Sequence, residues 1–108
     1  MDRRIELVIS QIKANPARSW ETAQLAAQVN LSASRFRHLF KEETGLTMTL
    51  YLRELRLLRS ELLLRTTFLS IKEVMHRAGL TSTSHFVQYF KDRYGLTPTA
   101  YRSKLLDS

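Results

Sequence analysis

Apolar residues recur at helical spacing along nearly the whole chain. Ile5, Val8, Ile9 and Ile12 fall at i, i+3, i+4 and i+7, which predicts a first amphipathic helix over residues ~3–14. Asn15-Pro16 ends it, because the residue before a proline is pushed out of the α region. A short second helix is expected from Glu21 to Gln28, with Leu25, Ala26 and Val29 inward and Trp20 ahead of it as a core plug. Val29-Asn30-Leu31-Ser32 then reads as a tight turn, with Asn30 in the left-handed slot that asparagine tolerates better than most side chains. Ser32 caps a third helix that runs to Glu43, and Gly45 closes it.

The longest helical stretch covers residues 48–65, with Tyr51, Leu55, Leu58 and Leu62 on one stripe. Leu52, Leu57, Leu63 and Leu64 widen that stripe beyond one face, as expected of a helix packed on several sides. Heptads are not sustained, which argues against a leucine zipper. Ser70-Ile71-Lys72-Glu73 is a capping box opening a fifth helix, with Val74 and Ala78 inward. Gly79 takes the turn slot, a sixth helix spans Thr83 to Tyr94, Gly95 stops it, and Pro98 opens a last helix to Leu105.

The pattern is written twice. SASRFRHLFKEETGLTMTLY from Ser32 to Tyr51 returns, 50 positions later, as STSHFVQYFKDRYGLTPTAY from Ser82 to Tyr101. Such density of matches marks two copies of one supersecondary unit. The turn residues Asn30 and Gly79 match at a shift of 49, so the second turn carries one extra residue. The expected fold is all-α: seven helices in two helix-turn-helix subdomains, residues 1–47 and 66–108, joined by a linker helix, 48–65.

Composition narrows the partner. Among 108 residues, 17 Lys and Arg against 10 Asp and Glu give a net charge of +7, and the pI near 10.3 suggests a polyanion. There is no cysteine, hence no disulfide or thiolate metal site. His38, His76 and His85 make no metal-ligand spacing and no Gly-rich phosphate loop occurs, so no enzyme chemistry, metal or cofactor is expected. The N-terminus lacks the apolar run of a signal peptide and nothing is long enough to span a membrane, which suggests a cytoplasmic protein.

With Phe36, Leu39 and Phe40 inward, the third helix presents Ser34, Arg37, His38 and Lys41 outward. With Phe86, Tyr89 and Phe90 inward, the sixth presents Ser84, Val87, Gln88 and Lys91. Arg37 can donate two hydrogen bonds to guanine O6 and N7, Gln88 can pair with adenine N6 and N7, and Val87 can touch a thymine methyl. Lys41 and Lys91, one turn further on, suit phosphates. The aromatics follow core spacing and form no stacking platform, against RNA binding.

LAAQVNLSASRFRHLFKEETGLT and SIKEVMHRAGLTSTSHFVQYFKDRYGLTPTAYR resemble the two halves of the DNA-binding domain of AraC/XylS-type transcription regulators, over residues 3–105. The resemblance implies a homeodomain-like fold and a transcription regulator, an activator, that binds double-stranded DNA sequence-specifically. By position, it implies base contacts at Ser34, Arg37, His38, Thr83, Ser84 and Gln88, and backbone contacts at Lys41, Ser70, Lys91 and Thr97. It further implies RNA polymerase as a partner and association with the nucleoid when bound. Thr22 and Met75 depart from the family's apolar and small residues, and Met48 stands where the second copy has Pro98.

Two recognition helices would then enter successive major-groove segments, which lie about 34 Å apart. The linker helix, at 1.5 Å per residue, spans roughly 27 Å, a mismatch that implies DNA bending or one poorly seated unit. With the leucine stripe used internally, an isolated domain is expected to be monomeric. The rival reading is a protein-interaction module on a helix-turn-helix scaffold that has lost DNA binding, favoured by Val87 and by Glu42-Glu43.

Overall fold

Every helix but the one that starts at Thr22 begins where a side chain takes up an amide proton that its first turn leaves free. In the computed structural model, which describes residues 1–107, seven helices follow: α1 Arg3–Ala14, α2 Thr22–Gln28, α3 Ala33–Thr44, α4 Met48–Thr66, α5 Ile71–Ala78, α6 Thr83–Tyr94 and α7 Pro98–Leu106. The chain divides inside α4 into two units, Met1–Glu54 and the residues from Leu55 onward.

In the first unit, the Asp2 carboxylate accepts from the Arg4 amide at 2.8 Å. The Arg4 side chain returns to the same carboxylate and, with that amide, holds its pKa at about 2. Ile5, Val8 and Ile12 are fully buried. Trp20 is half-buried and does not plug the core. Its indole N–H needs an acceptor, finds the Asn15 carbonyl at 2.8 Å, and so ties down the turn after α1. The Arg18 guanidinium lies 4.8 Å above its ring. The unusual Thr22 and Met48 meet, hydroxyl to sulfur, at 3.8 Å.

The α2–α3 turn closes as a Schellman motif. Leu31 donates to the Ala26 carbonyl at 2.9 Å and Asn30 to that of Ala27 at 3.1 Å, with Asn30 at φ 60°. The second unit repeats it, with Leu80 and Gly79 donating to Met75 and His76, both at 3.0 Å, and Gly79 at φ 89°. Ser32 and Ser82 then cap α3 and α6 by accepting from Arg35 and His85.

Aromatic packing repeats too. Phe36 and Phe40 are fully buried with ring centroids 5.9 Å apart, and Tyr51 meets Phe40 edge-on at 5.4 Å. Phe86 and Phe90 also stand 5.9 Å apart, and Tyr101 meets Phe90 edge-on at 5.3 Å. Leu57, Leu64, Val74 and Met75 complete the second core, so Met75 is accommodated as a core residue.

α4 departs from the expected stripe. Leu58 and Leu62 are 54% and 43% exposed, while Leu52, Leu57 and Leu64 are buried and Ser60 is buried with them. Ser60 can be buried because its hydroxyl donates to the Leu57 carbonyl at 2.7 Å. Because leucines surround the helix, their count alone cannot say which face is covered. On α7 the Tyr101 hydroxyl donates to Glu61 at 3.0 Å, and Arg65 pairs with the same carboxylate.

Two outcomes follow. Replacing Gly79 with Ala should lower stability by about 1–2 kcal/mol, the cost of a left-handed L-residue. Gly79→Asn should cost less, as Asn30 already holds that slot, and urea denaturation of both variants checks the order. Burial first, and then the Glu61 carboxylate, raise the Tyr101 pKa above its ordinary 10.0. A raised folded-state pKa gives stability that is complete below pH 10.0 and is lost as pH rises through the folded value. Tyr101→Phe should flatten that alkaline decline in stability measured against pH.

Candidate nucleic-acid interface

Once Phe36, Leu39 and Phe40 are buried, helix geometry leaves Ser34, Arg37, His38 and Lys41 on the outer face of α3, and all four are exposed. On α6, burial of Phe86 and Phe90 leaves Thr83, Ser84, Gln88 and Lys91 exposed, with Val87 half-buried. Each set therefore gathers on one helix face, within its own unit. Ser70 and Thr97 are placed differently. Their hydroxyls cap α5 and α7, accepting from the Glu73 amide at 3.1 Å and the Ala100 amide at 3.2 Å. Ser70 also donates to Glu73, in the expected capping box.

Around the α3 set lies an open depression of about 290 Å³, lined by Arg37, His38 and Lys41 with Thr22, Thr47, Met48 and Thr49. Arginine and lysine charges beside threonine hydroxyls make a surface suited to a phosphate oxygen. Thr22, Thr47 and Thr49 are absent from the sequence-based set. The signal was available for two of them, since Thr47 and Thr49 belong to the repeat. In the second unit a smaller hollow sits beside the α5–α6 turn, lined by Arg56, Ser82, His85 and Tyr89 among others. Burial lowers the pKa of Arg56 from its ordinary value. The His85 ring stacks on Tyr89 at 5.5 Å, which accounts for its orientation along the helix.

Two of the outward residues have an acid one turn on. Gln88 Nε2 donates to Asp92 Oδ1 at 2.8 Å, and His38 Nε2 lies 3.7 Å from the Glu42 carboxylate. Elsewhere a basic residue turns inward: the Arg102 guanidinium donates to the carbonyls of Leu69 and Thr67, buttressing the segment between α4 and α5. Among the described residues no group of His, Cys, Asp or Glu could hold a metal ion, and no helix is long and apolar enough to cross a membrane.

Residues 25–104 match the model of a helix-turn-helix domain family. The transcriptional activator RhaR of Mannheimia succiniciproducens is 31% identical over 103 residues, 95% of this chain and 37% of that protein. The regulator MtrA of Neisseria gonorrhoeae is 30% identical over 103 residues, 95% of this chain and 34% of that protein. The chain thus spans little more than a third of the length of these relatives. Among solved structures, the DNA-binding domain of AdpA in complex with a target DNA superposes with a TM-score of 0.87 at 26% identity, covering 95% of this chain and 93% of that one. A DNA-binding transcriptional dual regulator from Escherichia coli K-12 gives 0.81 at 30% identity, covering 96% and 99%. These likenesses share the all-helical, homeodomain-like architecture, and with the family match running from α2 into α7 the chain belongs to the AraC/XylS-type helix-turn-helix DNA-binding family.

Proposed function

We propose that this chain is the DNA-reading part of a bacterial transcription regulator, with α3 and α6 each laid into a major groove of double-stranded DNA. The observation that carries the reading is the paired exposed faces, Ser34, Arg37, His38 and Lys41 on α3 and Thr83, Ser84, Gln88 and Lys91 on α6. The buried aromatic sides of both helices turn these residues outward. Arg37 suits guanine and Gln88 suits adenine, while Lys41 and Lys91 suit phosphates. The capped first turns of α5 and α7, at Ser70 and Thr97, direct amide protons outward and suit phosphates as well.

Relatives named as transcriptional activators support an activating role; RNA polymerase would then be a second partner. The same reading makes the protein cytoplasmic, associated with the nucleoid when bound, and without enzymatic activity. A net charge of +7 favours a polyanion over an acidic-poor protein surface, which sets this reading above an interaction module that has lost DNA binding.

Selection from random duplexes, followed by footprinting, should return a defined sequence with a protected patch for each recognition helix. An interaction module would bind duplexes weakly and without preference. Arg37→Ala should cost roughly 1–3 kcal/mol and relax preference at one base pair. Lys41→Ala should weaken binding to all sequences alike and reduce the salt slope by about one. Uniform loss from both variants would instead put Arg37 on a phosphate.

A further inference from the structure

We infer that Asp92 is a positioning residue for sequence reading, which fixes the end of the Gln88 amide that faces a base. This rests on the reading above that puts Gln88 at a base edge. The two ends of a glutamine amide are nearly the same size but opposite in hydrogen bonding: the oxygen only accepts and the nitrogen only donates. A carboxylate only accepts. With Asp92 Oδ1 2.8 Å from Gln88 Nε2, the nitrogen must stay toward Asp92, and one of its two protons is spent there. The second proton and Oε1 remain for a partner.

That fixed order suits adenine, which presents an acceptor at N7 and a donor at N6. Guanine presents acceptors at both N7 and O6, so Oε1 would face another acceptor. A free amide can swing its oxygen off guanine and keep one N–H bond to it; a held amide keeps the oxygen facing an acceptor. Asp92 therefore acts against the wrong base more than for the right one.

An acid stands at the same place in the first unit. Glu42 stands 50 positions before Asp92 and lies one turn beyond His38, its carboxylate 3.7 Å from Nε2. That separation is longer than a hydrogen bond, so the first unit repeats the position of the acid and not the fixed order of an amide. A carboxylate on the reading face also repels phosphates, so its presence there needs a reason other than affinity.

The test measures binding of the full chain to its selected duplex and to duplexes varied at single base pairs. Gln88→Ala should first locate one pair by losing its preference. At that pair Asp92→Ala should lower adenine-over-guanine preference about tenfold, within the discrimination a bidentate pair supplies. Its affinity for unrelated duplexes should hold or rise at low salt, and its thermal unfolding should match the parent's. Asp92→Glu, which keeps the acceptor, should restore the preference. If Asp92→Ala keeps the full preference while Gln88→Ala loses it, or Asp92→Glu loses as much as Asp92→Ala, the positioning role is overturned and the base contact stands. If Gln88→Ala leaves every base preference intact, Gln88 is not at a base and both readings fall.

Discussion

The packing of two phenylalanines, one turn apart, beneath each recognition helix fixes what that helix can show to a partner. Phe36 and Phe40 in α3, and Phe86 and Phe90 in α6, are essentially fully buried, and a tyrosine from the following helix meets the second ring of each pair edge-on. Rotating either helix about its axis would expose aromatic surface and break that edge contact together. Burial of each ring is worth several kcal/mol by truncation data on other cores, far more than any rearrangement of exposed polar groups returns. The outer faces are therefore selected by the inner ones. The buried Phe and Tyr positions are identical in the two copies, while outward positions between them, Arg37 against Val87 and His38 against Gln88, differ.

That division also explains what could be read from sequence. Helix order, both left-handed turn residues and the capping box at Ser70 were legible, because each rests on local chemistry within a few residues. The outer faces of α3 and α6 were legible because their aromatic spacing is unambiguous. α4 was not. Leucines on all its sides give no preferred direction, and the choice is made by partners distant in sequence: Tyr101 reaching Glu61, and Leu57 and Leu64 entering a core with Val74 and Phe86. Trp20 failed for a related reason, since a carbonyl freed by the end of α1 outcompeted the interior for its indole. The exposed Leu58 and Leu62 also remove the premise on which a monomer was expected, that the leucine stripe is consumed internally.

For the site, sequence supplied the outward residues but not what holds them. Hydrogen bonds between exposed side chains leave no hydrophobic signature, and an acid four residues along a helix is most often a solvated neighbour. Asp92 meets Gln88, and Glu42 comes near His38, only once the helices set them one turn apart. Ser70 and Thr97 show the converse. Their positions follow the family pattern, but their hydroxyls are engaged by the helices they cap, so a phosphate there would meet helix N-terminal amides more readily than a free hydroxyl.

The charge distribution follows from the same competition. A protein selected only to hold DNA would keep carboxylates away from its reading faces, because each one opposes the phosphate attraction that dominates affinity. This chain carries an excess of +7 and still leaves Glu42 and Asp92 exposed beside those faces. Phosphate contacts are indifferent to sequence, so charge removed from the general attraction weakens binding to all duplexes alike. Ordering a single amide acts only where a base is read. Acids that order a single side chain beside a base would lower affinity everywhere and improve discrimination at one place, a balance that would suit a reader better than a packager of DNA.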